Sequence, residues 1–278
     1  MQFLPSLKAL GFLAHSFMKI ILSMLCIASA TILANINGCT GKEETPSAKT
    51  TNTYAIVVGM GNSQFAGMCE GAGLDADRMF TLISKYTPNI VKLRDREATK
   101  ANVVAALKNA IEKANNGLVI FSYSGHGGSD PFPDTGIEED DGRDEYLCLW
   151  DTYLRDNEIW SIISKSHGRV FLLVDACHSR TMFRHASVKI TPPLSFDHTL
   201  NEKHDFSMLC WSGCPDNTFS YGTSSGGQFT NALLRHIKDD KTYEELWMDI
   251  KNDRTLRAYE NPQSTVIGNG FDGRMIFR

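Results

Sequence analysis

The chain is 278 residues long, 42% apolar and 22% charged, with a formal net charge of −4. That balance suits one globular domain of roughly 220 residues with appendages, and the mildly negative charge gives no electrostatic case for nucleic-acid binding. Seven cysteines, an odd number with no Cys-x-x-Cys pair, exclude a disulfide framework and offer no zinc-site spacing.

Residues 1–38 read as a cleaved leader. Lys19 precedes an uncharged run from Ile20 to Leu33, about the length of a signal-peptide core and short for a membrane span. The run leads to Ile36-Asn37-Gly38-Cys39, a small residue directly before a cysteine. That resembles a bacterial lipoprotein box, which implies lipidation of Cys39. Met18-Lys19 makes a conventional signal start, and an uncleaved N-terminal anchor is the alternative. Residues 39–53 are then a tether, because Gly, Lys, Glu, Thr, Pro and Ser cannot bury apolar area. Lys42-Glu43-Glu44 is similar to surface-export signals of some bacterial lipoproteins, and equally an ordinary charged spacer. The expected location is across the inner membrane, lipid-anchored to the bacterial envelope, with the cell surface as an option.

The folded domain is expected over residues 54–278. Tyr54 to Gly59 predicts a first buried strand, and Gly61 to Gly73 a glycine-rich loop. A helix is expected from Asp75, with Met79, Leu82, Ile83 and Tyr86 on one face. Asn89 to Leu93 predicts a second strand. Thr99 is placed to cap a helix whose Val103, Val104, Leu107 and Ile111 repeat the 3.6-residue period. Val170 to Val174 is an unbroken apolar run and Leu118 to Ser124 is similar in character, the mark of strands buried on both faces. Between them, Pro131 to Arg143 reads as an acidic loop, Tyr146 to Trp150 as a short apolar segment, and Asp156 to His167 as a helix. Arg180 to Asp205 has two adjacent prolines and no sustained period, so it reads as an exposed linker. Phe206 to Trp211 predicts a strand, Gly227 to Ile237 and Tyr243 to Leu256 two helices, and Pro262 to Val266 a last edge strand. Strand and helix alternate throughout, which indicates an α/β fold with mostly parallel strands.

The two apolar runs end in chemistry. Ser124-Gly125-His126-Gly127 follows one, and Asp175-Ala176-Cys177-His178-Ser179 follows the other. Open α/β sheets bind ligands at the carboxyl ends of their strands, and a cysteine meeting a histidine there is the minimum for thiol catalysis. Cys177 lies past its apolar run, where a merely buried thiol has no reason to be. His178 points away from Cys177 along an extended chain and is read as structural. Of the other cysteines, Cys148 and Cys210 fall within apolar strands. Cys69 and Cys214 sit in loops or strand ends, where a bond between them stays open.

With 51 positions separating His126 from Cys177 and Asp-Ala-Cys around the thiol, the sequence resembles the caspase/metacaspase family, its metacaspase branch and bacterial relatives in particular. The likeness runs from Tyr54 to Phe277. It implies a caspase-like three-layer sandwich, a mostly parallel central sheet of about six strands with helices on both faces. It further implies a large segment over 54–179, a linker over 180–205 that is often cut in this family, and a small segment over 206–278. The oxyanion hole implied by the resemblance is formed by the backbone amides of Gly127 and Cys177. Asp75 and Ser124 match pocket residues of the metacaspase branch, and Asp144 and Asp156 match its calcium ligands. Asn157 stands where relatives have a carboxylate, and Arg184 where they have an acid, a charge that opposes a cation.

Asp175 lies two residues before Cys177 and so faces the same side. Two carboxylates in one pocket favour a cation between them, and the planar fork of arginine satisfies both better than lysine. The expected function is a cysteine endopeptidase acting after Arg, then Lys, through Cys177 and His126. It requires no cofactor for the chemistry, with calcium as a possible accessory. The partners are a peptide or protein substrate and a membrane reached through the lipid anchor, with no nucleic acid. The rival is a catalytically silent surface lipoprotein that uses the same fold to bind peptide.

Overall fold

The computed structural model describes residues 52–130, 144–177, 204–213 and 222–278. The leader, Cys39, the tether through residue 51, the acidic loop 131–143, His178, Arg184, Cys214 and the linker up to residue 203 lie outside the described residues.

Five strands run parallel in one sheet: β1 (Thr53–Gly59), β4 (Asn89–Arg94), β5 (Leu118–Ser124), β9 (Arg169–Asp175) and β10 (Ser207–Ser212). Strand β11 (Gln263–Ile267) pairs antiparallel with β10 and closes one edge, so the order is β11-β10-β9-β5-β1-β4. The six-stranded, mostly parallel sheet is the one the family resemblance implies. Side chains alternate between its faces. In β9, Val170, Leu172 and Val174 enter one core, and Phe171 and Leu173 the other.

Helices cover both cores. Helices α2 (Lys100–Ala114) and α3 (Asp156–Ile163) pack Val103, Leu107, Ile111, Ile159 and Ile163 into the first. Into the second go Met79, Leu82 and Ile83 of α1 (Ala72–Ile83), Phe229 and Leu233 of α4 (Gln228–His236), and Tyr243, Leu246 and Ile250 of α5 (Tyr243–Lys251). The Thr99 cap forms as expected, its side chain accepting from Asn102 N. Phe171 is fully buried at the centre of the second core, its ring 4.9 Å from that of Trp211 and 5.1 Å from that of Tyr243.

Three local expectations are corrected. The glycine-rich stretch after β1 is no plain loop. It forms a hairpin of β2 (Asn62–Ser63) and β3 (Gly67–Met68), and α1 starts at Ala72, so Asp75 sits within the first turn rather than at the head. After His126 the chain makes a second, three-stranded antiparallel sheet of β6 (Gly127–Asp130), β7 (Asp144–Cys148) and β8 (Tyr153–Arg155). Gly127-Gly128-Ser129-Asp130 has no apolar alternation, so nothing in it announces a strand. The last helical stretch breaks at Asn252. There Asp253 accepts from Leu256 N and caps a separate short helix, α6 (Arg254–Arg257).

Replacing Phe171 by Ala leaves a cavity within the aromatic cluster and is expected to cost about 3–5 kcal/mol. Urea unfolding measures this, and a loss under about 1 kcal/mol would contradict the packing described.

Candidate active site

Strands β5 and β9 are in register to their last residues, with Ser124 beside Asp175. His126 and Cys177 follow immediately, and both line one cleft of about 550 Å³. Asp75, Ser124, Gly127 and Asp175 line the same cleft. The pocket and reactive residues singled out from the sequence therefore converge there.

Asp75 reaches the cleft because Gly59, at the end of β1, has no side chain. A Cβ there would lie 2.5 Å from Ala76 Cβ and 2.7 Å from the Ala72 carbonyl oxygen, so only glycine lets α1 pack this close. Asp75 is 1% exposed, and its Oδ2 accepts from Ser124 Oγ at 2.7 Å and from Gly227 N at 2.8 Å. Its Oδ1 is buried and has no hydrogen-bond partner. Burial, reinforced by the nearby Asp175 charge, pushes the Asp75 carboxyl up to about 7. Arg78, one turn along α1, opposes that rise but spends its Nη1 on Ser225 O and Asn231 Oδ1.

Asp175 is 4% exposed, and its Oδ2 accepts from both Thr230 N and Thr230 Oγ1, each at 2.8 Å. Gly227 precedes α4 and supplies no side-chain cap, so a carboxylate from β9 receives a first-turn N–H instead. A Cβ on Gly226 would stand 2.2 Å from Asp75 Oδ1, and one on Gly227 2.2 Å from Asp175 Oδ2. The Gly226-Gly227 step thus brings backbone to two carboxylates at once. Gly226, at φ +104°, adopts a conformation suited to glycine.

His126 has a partner that no motif names. Its Nε2 lies 2.9 Å from the Met68 carbonyl oxygen on β3. A carbonyl only accepts, so Nε2 carries the proton, and in the neutral ring Nδ1 is the basic nitrogen. The His126 carbonyl accepts from Cys148 N at 2.9 Å, and the Tyr123 hydroxyl lies 2.7 Å from both the His126 and Cys148 carbonyl oxygens. A Cβ on Gly127 would stand 2.5 Å from the Cys177 carbonyl oxygen, so the two backbone segments assigned to the oxyanion hole abut.

Sequence reasoning missed Met68, Cys69, Gly226, Thr230 and Tyr146. Cys69 lines the cleft, and burial followed by the Asp175 charge pushes its thiol up to about 12. Cys148 rises to about 11 through burial and its neighbour Cys177. Both remain protonated thiols at neutral pH.

The pairing of Tyr146 with Arg155 runs the head of β7 beside the head of α3, which brings the backbones of Asp144 and Asp156 to one edge. The Asp144 side chain is outside the described residues. Asp156 is 2% exposed, and its Oδ1 accepts from Asn157 N at the helix start. Among the described residues no three His, Cys, Asp or Glu side chains converge to hold a metal.

A caspase-domain family profile matches residues 53–263. The chain belongs to the caspase-domain peptidase family. Among similar proteins, Metacaspase-1 of Coccidioides immitis is 28% identical over 240 residues, covering 80% of this chain and 48% of that protein. Metacaspase-1A of Aspergillus terreus is 29% identical over 254 residues, 84% of this chain and 56% of the relative. The chain thus spans about half the length of the curated relatives it matches. Protein GSU0716 from Geobacter sulfurreducens shares the fold with a TM-score of 0.60 at 23% identity, over 78% of this chain and 93% of that one. Caspase-1 from Spodoptera frugiperda does so with a TM-score of 0.51 at 12% identity, over 87% and 99%. These likenesses bear out the caspase-like sandwich expected from the sequence.

The raised Asp75 carboxyl makes stability depend on pH. Its proton is held more tightly folded than unfolded, so its contribution is full below about pH 4 and is lost as pH rises through about 7. Asp75→Asn keeps an oxygen acceptor for Ser124 and Gly227 and abolishes the charge. Its melting temperature relative to the native protein is expected to rise from pH 5 to pH 8. A constant difference across that range would contradict the assigned shift.

Proposed function

We propose that the protein is a cysteine endopeptidase that cleaves peptide bonds after Arg, and less efficiently after Lys, with Cys177 as nucleophile and His126 as acid and base. The observation that carries the specificity is the buried, unpartnered Asp75 Oδ1 in the cleft shared with Asp175, Cys177 and His126. A guanidinium there gives the carboxylate the donor it lacks and offsets the cost of burying charge. An aspartate would add a third negative charge and is rejected.

The chemistry follows from the tautomer. His126 Nδ1 takes the Cys177 proton as Sγ attacks the scissile carbonyl carbon, and the oxyanion meets the backbone N–H groups of Gly127 and Cys177. Nδ1–H then protonates the leaving amine, the C–N bond breaks, and a thioester remains. Water gives its proton to Nδ1 and its hydroxyl to the thioester carbon. Collapse releases the carboxylic acid product and returns the proton to sulfur. Through all of this the Met68 carbonyl keeps Nε2–H directed away from the reacting atoms.

Fluorogenic peptides differing only in the residue before the cleaved bond test the reading. Arg peptides are expected to be fastest, Lys slower, and Asp uncleaved. Cys177→Ala lowers hydrolysis by several orders of magnitude, and Asp75→Asn lowers kcat/KM on Arg peptides roughly 30-fold or more. A cleavage-independent check uses iodoacetamide at neutral pH. It should label Cys177 and spare Cys69 and Cys148, whose thiols are raised to about 12 and about 11. Preference for Asp peptides would remove the basic pocket, and an unreactive Cys177 with no hydrolysis would favour the silent peptide-binding protein.

We also propose that Cys39 carries the lipid anchor, on the support of the uncharged run from Ile20 to Leu33 and Gly38 before the cysteine. Feeding cells labelled fatty acid should mark the native protein and not Cys39→Ser, and equal labelling of both would sink the idea.

A further inference from the structure

Beside the carboxylates Asp75 and Asp175, the cleft is also bordered by large apolar side chains. Met68 is 80% exposed, Phe65 59% and Tyr153 41%. The Tyr146 and Tyr153 rings lie 4.4 Å apart, and the Phe65 ring is 6.2 Å from that of Tyr153. Met68 and Tyr146 line the catalytic cleft itself, so this surface continues from it without a break. Large apolar side chains grouped in this way beside a reactive centre are characteristic of ligand-binding surfaces.

The hairpin bearing Phe65 and Met68 is held in place before anything binds. Ser63 is 5% exposed and donates its hydroxyl to the Leu149 carbonyl at 3.0 Å. The same oxygen accepts from Phe65 N at 3.2 Å and Ala66 N at 3.3 Å, which ties the tip to its own base. Tyr146 is seated by Gly128, where a Cβ would come within 2.5 Å of its hydroxyl oxygen. A surface ordered in advance spares a ligand much of the entropy of ordering it.

Its direction along the substrate follows from His126. The imidazole delivers a proton to the leaving amine, so the leaving half of the peptide passes on the imidazole side. That imidazole is pinned by the Met68 carbonyl, on the hairpin that carries Phe65. Asp75 and Asp175 serve the acyl half. We propose that Phe65, Met68, Tyr146 and Tyr153 form a subsite for a large apolar or aromatic side chain immediately after the cleaved bond. The inference rests on the peptidase reading above and deepens it, giving a preferred bond between a basic and an apolar residue. Met68 has two separate duties here, its backbone oxygen orienting the histidine and its side chain meeting substrate.

The test uses internally quenched peptides with Arg fixed before the bond and Phe, Leu, Gly or Asp after it. The native enzyme is expected to favour Phe and Leu over Gly in kcat/KM by roughly tenfold, with Asp slowest. Phe65→Ser and Met68→Ser should each shrink the Phe-to-Gly ratio several-fold, a comparison made within one preparation and so insensitive to its active fraction. If either variant fails to fold, the other carries the test. A native Phe-to-Gly ratio near one, or a ratio that neither variant changes, would overturn the proposal. Cleavage sites in a peptide library with both positions randomised, read by mass spectrometry, score the two sides separately. Loss of the Arg preference would overturn the basic pocket, and absence of apolar enrichment after the bond would overturn this subsite.

Discussion

Asp75 and Asp175 face one cleft from beneath the surface, 1% and 4% exposed, and keeping two carboxylates in that setting is the physical problem the surrounding structure answers. Burial and the neighbouring Asp175 charge both favour protonation of Asp75. Ser124 and the Gly227 amide oppose that at Asp75, and in the first turn of α4 Thr230 donates twice to Asp175. The donors come from two distant parts of the chain, the end of β5 and the start of α4, so the cleft exists only when α1, β5, β9 and α4 are assembled. Gly59, Gly226 and Gly227 are needed because side chains at those points would occupy the space of the contacts themselves.

Those contacts leave one oxygen, Asp75 Oδ1, unsatisfied. A buried acceptor without a donor costs about 1–3 kcal/mol, a cost that the cationic substrate group proposed above would recover on binding. Stability and recognition are thus in tension at one atom, as happens where a binding site is built ahead of its ligand.

Within the caspase-domain family the sheet is a carrier and the cleft walls decide what is bound. The parallel strands deliver His126 and Cys177 to adjacent positions, a consequence of the in-register pairing of β5 with β9. The accessory sheet β6-β7-β8 then places Tyr146 and Tyr153 on one flank, and the β2–β3 hairpin adds Phe65 and Met68. The histidine is oriented by a backbone carbonyl, which any residue at position 68 would supply.

Much of this was legible in the chain because it rests on side-chain pattern. The runs Leu118 to Ser124 and Val170 to Val174 announce two buried strands, as a strand covered on both faces is apolar at nearly every position. Their polar ends identify His126, Asp175 and Cys177 as candidates, and the spacing of Met79, Leu82 and Ile83 marks the buried face of α1. Other features carry no such pattern. β6 is glycine, serine and aspartate, and becomes a strand only because β7 offers it a ladder. The Met68 carbonyl, the Gly226-Gly227 approach and the Thr230 cap on Asp175 depend on backbone atoms or on contacts between residues 55 and more apart in sequence. Local composition determined the strands, the helices and the reactive residues, since periodicity and hydrophobicity are properties of neighbours. Tertiary structure alone decided which oxygen is left bare, which nitrogen carries the proton and where the apolar surface lies, since each is settled by groups that meet only in the folded chain.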